Sequence, residues 1–476
     1  MSLPRHLILR VATCLSAVCL AAGCSSSDAR ARSALEAYQS AAASNDLFGA
    51  RKALLQLVQA KDDVAQYWEE LGKVEASMGA YSDAYYAFTR AYELDRSNPD
   101  ILRAITEIAL RSGNIDVAQR HAQELDVVAP GDPWVKLTEG WAAISQLHYD
   151  KALAAADAIL ATSPYDSSAT GLKARALLAS KGQDAALDLL NKQIAAVPSD
   201  AGSLGLLARI YEGRNDWPKV AEYSRRLNEL VPENPGNTQL LIKAAFLSGD
   251  VAAGRRASFR LLKPNAPPLL VASVLDLWAG CWFSPQRIED ARKLAGATPS
   301  LEQRLIYAGF LSRVGSPADA IRLVASVATL PVNAKNAEAN AVVAEALFRG
   351  GNIDAALPRF NAVLAFDPGN ATALRGRSEL ELRKGDAAAA IVDAQKLVTV
   401  LPTSAPDRLL LARSYSAGDK PQWADRTLWS AFQEIPADER IFAALQATKK
   451  GDAEGTRELQ VEFARQLDAK INRGMM

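Results

Sequence analysis

The sequence predicts an all-α chain built as a solenoid of about 12 helix hairpins, each roughly 34 residues long. Three observations carry this. Apolar residues recur at helical spacing in short paired runs with a turn residue between them. The same small and apolar residues return at one fixed step along the chain. Composition agrees: 49% of residues are hydrophobic, with Ala and Leu abundant.

The stretch Ala65 to Asn98 shows the unit. Trp68, Leu71 and Gly72 share one face of a first helix, and Ala84, Phe88 and Ala91 share one face of a second. Gly79 lies between the two runs, where a helix must end. Asn98-Pro99 closes the unit, because proline cannot extend a helix and biases its predecessor away from one. Gly72 and Ala84 let two backbones approach, while Leu71 and Phe88 fill the sides. A hairpin of this kind cannot bury its own apolar face, so neighbours must cover it.

The spacing W-x2-L-G followed by Ala, Phe and Ala resembles a tetratricopeptide repeat. Steps of about 34 residues place repeat starts at Ala31, Ala65, Pro99, Pro133, Ser167, Ala201 and Pro235 without a gap. The small residue of the second helix recurs as Ala50, Ala84, Ala118, Ala152, Ala186, Val220 and Gly254. The closing proline recurs as Pro130, Pro164, Pro198 and Pro232, with Arg96 in that place in the stretch above. The resemblance implies a right-handed α-solenoid that binds other proteins through a concave groove lined by first helices.

Before the repeats comes a leader. Arg5 and Arg10 precede an apolar run from Val11 to Ala22, shorter than the ~20 residues of a spanning helix. Leu20-Ala21-Ala22-Gly23-Cys24 resembles the lipobox of a bacterial lipoprotein, although Leu20 stands four residues before the cysteine and Ala21 three before. That resemblance implies cleavage after residue 23 and acylation of Cys24. Ser25, not Asp, follows the cysteine, as in lipoproteins addressed to the outer membrane. Residues 24–30 are expected to form the lipidated cysteine and a short tether. Losing residues 1–23 removes Cys14 and Cys19, so Cys281 is the one remaining thiol and no internal disulfide is expected. Cys281 lies between Trp278 and Trp282, and a buried thiol is expected.

Residues 31–266 are expected to form an N-terminal solenoid and residues 267–476 a C-terminal one. The register breaks at Lys263-Pro264-Asn265-Ala266-Pro267-Pro268, a run incompatible with a continuous helix. The next units start near Ala272 and Leu301. Regular phase resumes near Ala337 and continues at Ala371 and Ala405. A degenerate unit from Glu439 and a charged final helix, about 453–472, read as a polar cap.

Little points to catalysis. Lys+Arg and Asp+Glu both number 54, so no bulk field favours nucleic acid. His121 and His148 lack partners at metal-ligand spacing, and no phosphate loop, nucleophile elbow or CxxC occurs. No enzyme activity, cofactor or metal is expected. In the resembled family the ninth residue of each repeat faces the groove. Here these are Lys73, Glu107, Trp141, Arg175, Arg209 and Lys243, with Arg103, Trp134 and Phe246 as further inward candidates. Arg175, Arg209 and Lys243 are expected to stack as a basic ladder beside aromatics, suited to an extended anionic ligand. The competing expectation is a solvated face whose charges pair with acids such as Glu212. The function expected is a lipid-anchored, periplasm-facing scaffold for envelope assembly or export, with envelope proteins or extended peptides as partners. The alternative is a module that binds an anionic polysaccharide or peptidoglycan.

Overall fold

The computed structural model describes residues 26–44, 46–232, 234–449 and 452–473. The expected leader and the acylated Cys24 lie outside these residues. Every regular element among them is a helix, and the 26 helices fall into antiparallel pairs along the chain. First helices begin at Ala65, Pro99, Pro133, Ser167, Ala201 and Pro235, the starts the repeat spacing predicts, and later at Ala337, Ala371, Ala405 and Glu439. The helices divide between two compact units, one up to Ile210 and one from Tyr211 to Ile471.

In the N-terminal unit the first helix runs Ser26–Ala43. It thus takes in residues 26–30, expected as a tether. No proline or glycine interrupts that stretch, and Asp28 in the first turn complements the helix dipole. The start of this helix is fastened to the end of its partner, Leu47–Ala60. Ser27 Oγ donates to the Ala60 carbonyl at 2.6 Å, and Lys61 Nζ pairs with Asp28 at 2.5 Å.

Helix starts are set by side-chain caps and proline. Asn98 accepts from the Asp100 and Ile101 amides ahead of Pro99, and Asp132 accepts from Trp134 ahead of Pro133. Packing between helices depends on missing side chains. A Cβ on Gly72 would come within 2.9 Å of the Phe88 ring, and one on Gly140 within 2.3 Å of a Leu172 methyl. The turns of several hairpins use a left-handed residue, which Gly79 supplies at φ 77° in the second and Gly113 at φ 72° in the third. In the fourth hairpin Leu147 holds this place at φ 62°.

In the C-terminal unit the register break does not separate two solenoids. One core runs from Leu241 and Phe246 through Trp278 and Trp282 to Phe310 and Val343. Phe246 stacks on Trp282 at 4.9 Å, and Trp278 meets Trp282 edge-on at 5.0 Å. Trp278 Nε1 donates to Ser258 Oγ at 2.8 Å. Arg287 donates to the Trp278, Ala279 and Trp282 carbonyls and so ends the helix Pro268–Cys281. The aromatic volume fills the gap that the slipped register leaves. The division between units falls at 210/211 instead of the expected 266/267. Cys281 is free and half-buried, less enclosed than expected. The final helix packs on the unit before it. Phe463 stacks on Phe442 at 4.1 Å, and Gln466 accepts from the Ala437 amide and donates to the Phe432 carbonyl.

The fourth hairpin gives a test with two opposite signs. Gly140→Ala gains up to about 1 kcal/mol of helix propensity but overpacks buried Leu172, costing about 1–3 kcal/mol. Leu147→Gly relieves a left-handed leucine and is expected to stabilise by about 1 kcal/mol. Urea midpoints of the two variants should move in opposite directions from wild type.

A cationic aromatic patch on the first helices

Most expected groove cations turn out to be paired. Lys73 is held by Glu69 at 2.6 Å and Glu70 at 2.9 Å, within one helix. Glu107 pairs with Arg111 at 2.6 Å. Arg103 binds Asp132, the cap of the next repeat, and Asp100. In the C-terminal unit Lys243 pairs with Glu212 at 2.9 Å and rests over the Trp217 ring at 4.8 Å from its centroid. Arg209 is partly buried and engaged by another group. Of the three residues expected to stack as a basic ladder, Lys243 and Arg209 are therefore already engaged. Lys243 follows the competing expectation of a charge met by Glu212.

Arg175 is different. It sits in the helix Ser167–Ser180, where the Asp166 cap fixes the start and the ninth repeat position turns inward. Its residue surface is only 4% exposed. Among the described residues no carboxylate pairs with it. Its one specific contact is the Trp141 ring, 4.6 Å from the guanidinium carbon. Trp141 lies on Pro133–Ser145, with Trp134 and Ile144 packed on the same core. Leu178, one turn beyond Arg175, is 7% exposed. Gly171, one turn before, faces open space, since a Cβ there would meet nothing within 4 Å.

The electrostatics follow from burial alone. Desolvation pushes the Arg175 guanidinium down from its ordinary range, and no nearby acid opposes this. A base whose folded-state value lies below its unfolded one costs stability while it is charged, and arginine stays charged at physiological pH. The Trp141 face offsets part of that cost, up to about 2 kcal/mol for a desolvated cation–π contact. What remains is an almost buried cation with no carboxylate beside it among the described residues, the condition that an incoming anion relieves.

The sequence placed Trp141 and Arg175 on the same inward position of adjacent repeats. It did not show that they touch, nor that acids already claim Lys73, Arg103 and Lys243. The signal for the second was available. Arg103 and Asp132 lie 29 residues apart and Lys243 and Glu212 lie 31 apart, close to the repeat length. No group of three or more His, Cys, Asp or Glu side chains is arranged to hold a metal among the described residues. No helix among them is long and apolar enough to cross a membrane.

An array of paired helices repeated along the chain fits a helical-repeat scaffold for protein–protein interaction. Residues 137–201 and 343–406 match the family described as tetratricopeptide repeat. Paired helices continue on both sides of these segments, so the chain carries tetratricopeptide repeats within a longer array of helix hairpins. No curated protein matches it in sequence. Among solved structures it resembles the MamA protein, at 16% identity over 35% of this chain and 91% of that one, TM-score 0.30. It also resembles PilW, titled a widely conserved type IV pilus biogenesis factor, at 19% identity over 41% of this chain and 91% of that one, TM-score 0.32. A third is YrrB, titled a TPR protein with an unusual peptide-binding site, at 17% identity over 34% of this chain and 83% of that one, TM-score 0.28. Likeness at this level does not bear on what this chain binds.

If Arg175 is held for a ligand and not for the fold, Arg175→Met should leave stability unchanged or raise it by up to about 1 kcal/mol, because an unpaired buried charge is removed. Thermal unfolding of the variant checks this. A loss of several degrees would mark Arg175 as structural.

Proposed function

We propose that this protein is a lipid-anchored, periplasm-facing scaffold that grips an extended acidic segment of an envelope protein at Trp141 and Arg175. The nearly buried, unneutralised guanidinium of Arg175 carries the proposal. A carboxylate from a partner supplies the charge that the chain itself withholds, and Trp141 with Trp134 supplies an apolar wall beside it. The anchor and the outer-membrane address rest on Leu20 to Ser25. Membership in an envelope assembly or export machine follows from combining that anchor with a repeat array suited to holding several partners.

The polysaccharide alternative needs a run of free cations along the first helices. Lys243 and Arg103 are already neutralised, so the patch suits one carboxylate of a peptide better than a repeating polyanion.

A photoreactive residue at Gly171, beside Arg175 and facing open space, tests this in cells. Wild-type protein should capture a discrete set of envelope proteins through acidic segments identified by mass spectrometry. Arg175→Glu should weaken binding of the captured segment by about 2 kcal/mol or more, roughly thirtyfold. Lys243→Glu should leave it. Co-purifying glycan with no protein captured would overturn the peptide reading. Size and location unchanged by globomycin, which blocks lipoprotein signal cleavage, would overturn the anchor.

A further inference from the structure

The first hairpin carries two exposed apolar side chains at positions that are polar in the next four repeats. On the helix Leu47–Ala60, Phe48 is 77% exposed and Leu55 44% exposed, with Lys52 between them and Gln59 beyond, all on one helical face. At the same repeat position as Phe48, the following second helices carry Ser82, Asp116, Asp150 and Asp184. At the position of Leu55 they carry Thr89, Gln123, Asp157 and Asn191. Two positions that are polar in four repeats are thus apolar in the one nearest the leader, while elsewhere on the same stripe the next two repeats expose Tyr86 and Val127.

The position of that hairpin explains the difference. Ser26 already belongs to the first helix, and only two residue steps separate it from Cys24, a reach of at most ~7 Å. The start of that helix is bonded to Ala60 and Lys61, the end of the helix that bears the stripe. An acyl chain on Cys24 therefore holds the stripe-bearing helix at the lipid surface. A helix of this length runs ~20 Å, so lying flat it reaches from the anchor to Phe48.

We infer that the Phe48–Lys52–Leu55 face is a docking surface for the bilayer, seating the first hairpin in the lipid interface with Lys52 directed at anionic headgroups. This rests on the anchor reading proposed above. Two apolar side chains and one cation match the modest burial of interfacial helices, and they add to acylation instead of replacing it. With no slack between lipid and fold, the surface fixes the angle at which the repeats leave the membrane.

The test uses lipidated full-length protein with Cys281→Ser, reconstituted in phosphatidylethanolamine–phosphatidylglycerol vesicles. An environment-sensitive dye is placed at Phe48→Cys, Leu55→Cys or Tyr165→Cys, all exposed sites, with helix content checked by circular dichroism. Headgroup spin-labelled lipid should quench the dye at 48 and 55 at least about twofold more than at 165. Equal quenching at all three sites, in protein that floats with the vesicles, would overturn the docking surface and leave the anchor standing. Unmodified Cys24 by mass, with no flotation, would overturn the anchor and this inference together.

Discussion

Close helix contacts within and between hairpins depend on letting two backbones approach until one ring or branched side chain fills the gap. Gly72 meets Phe88, Gly254 meets Phe246 and Gly376 meets Phe360, and a Cβ on any of the three glycines would stand within 2.9 Å of the ring. Interiors packed to crystal density do not absorb such an overlap without strain. Phe360 is fully buried and Phe88 nearly so, which means the ring has nowhere to move. Because each hairpin leaves an apolar face uncovered, the next must repeat the same geometry. One local contact thereby sets the step of the whole array.

Charge then joins the repeats that packing has placed. Arg375 binds Asp407 through two nitrogens at 2.6 and 2.8 Å, Arg377 binds Asp393 likewise, and Arg255 binds Asp290. The carboxylates are buried, so each pair would be costly to break from one side. Gln193, Asp200, Thr170 and Ser203 form a buried hydrogen-bonded cluster in the N-terminal unit. Arg175 differs from these paired arginines: it is nearly buried, and the Trp141 ring rather than a carboxylate lies against it. Neutralising it within the chain would have needed one acid on an adjacent first helix. Trp141 occupies the nearest such place.

The helices were legible because Pro, Asn and Asp mark their starts and because one repeat length governs six consecutive first helices. The unit from Pro268 was less so. Its first helix starts at Pro268, not near Ala272, since a proline is tolerated in a first turn that pattern matching reads as a break. The aromatic core of Trp278, Trp282 and Phe246 joins residues far apart in sequence, so no local signal announced that the break is filled. The tether failed for a related reason. Ser and Asp look like linker residues by composition but are also favoured where a helix begins. At the candidate site, register alone placed Trp141 and Arg175 together. Which cations were paired depended on acids in the same helix, as at Lys73, or about one repeat away, as at Arg103 and Lys243, a spacing that the sequence carries but that apolar periodicity does not reveal.

The central claim is that Arg175 is a desolvated cation awaiting a carboxylate. Nitrogen NMR of its guanidinium, assigned by Arg175→Lys, measures this directly during titration with a glutamate-rich peptide. The account predicts a saturable shift at the Arg175 Nε that a lysine-rich peptide of equal length does not produce. It further predicts that Arg103 and Arg375, already paired, remain in place. An Arg175 signal that stays fixed while other arginines respond would contradict the account.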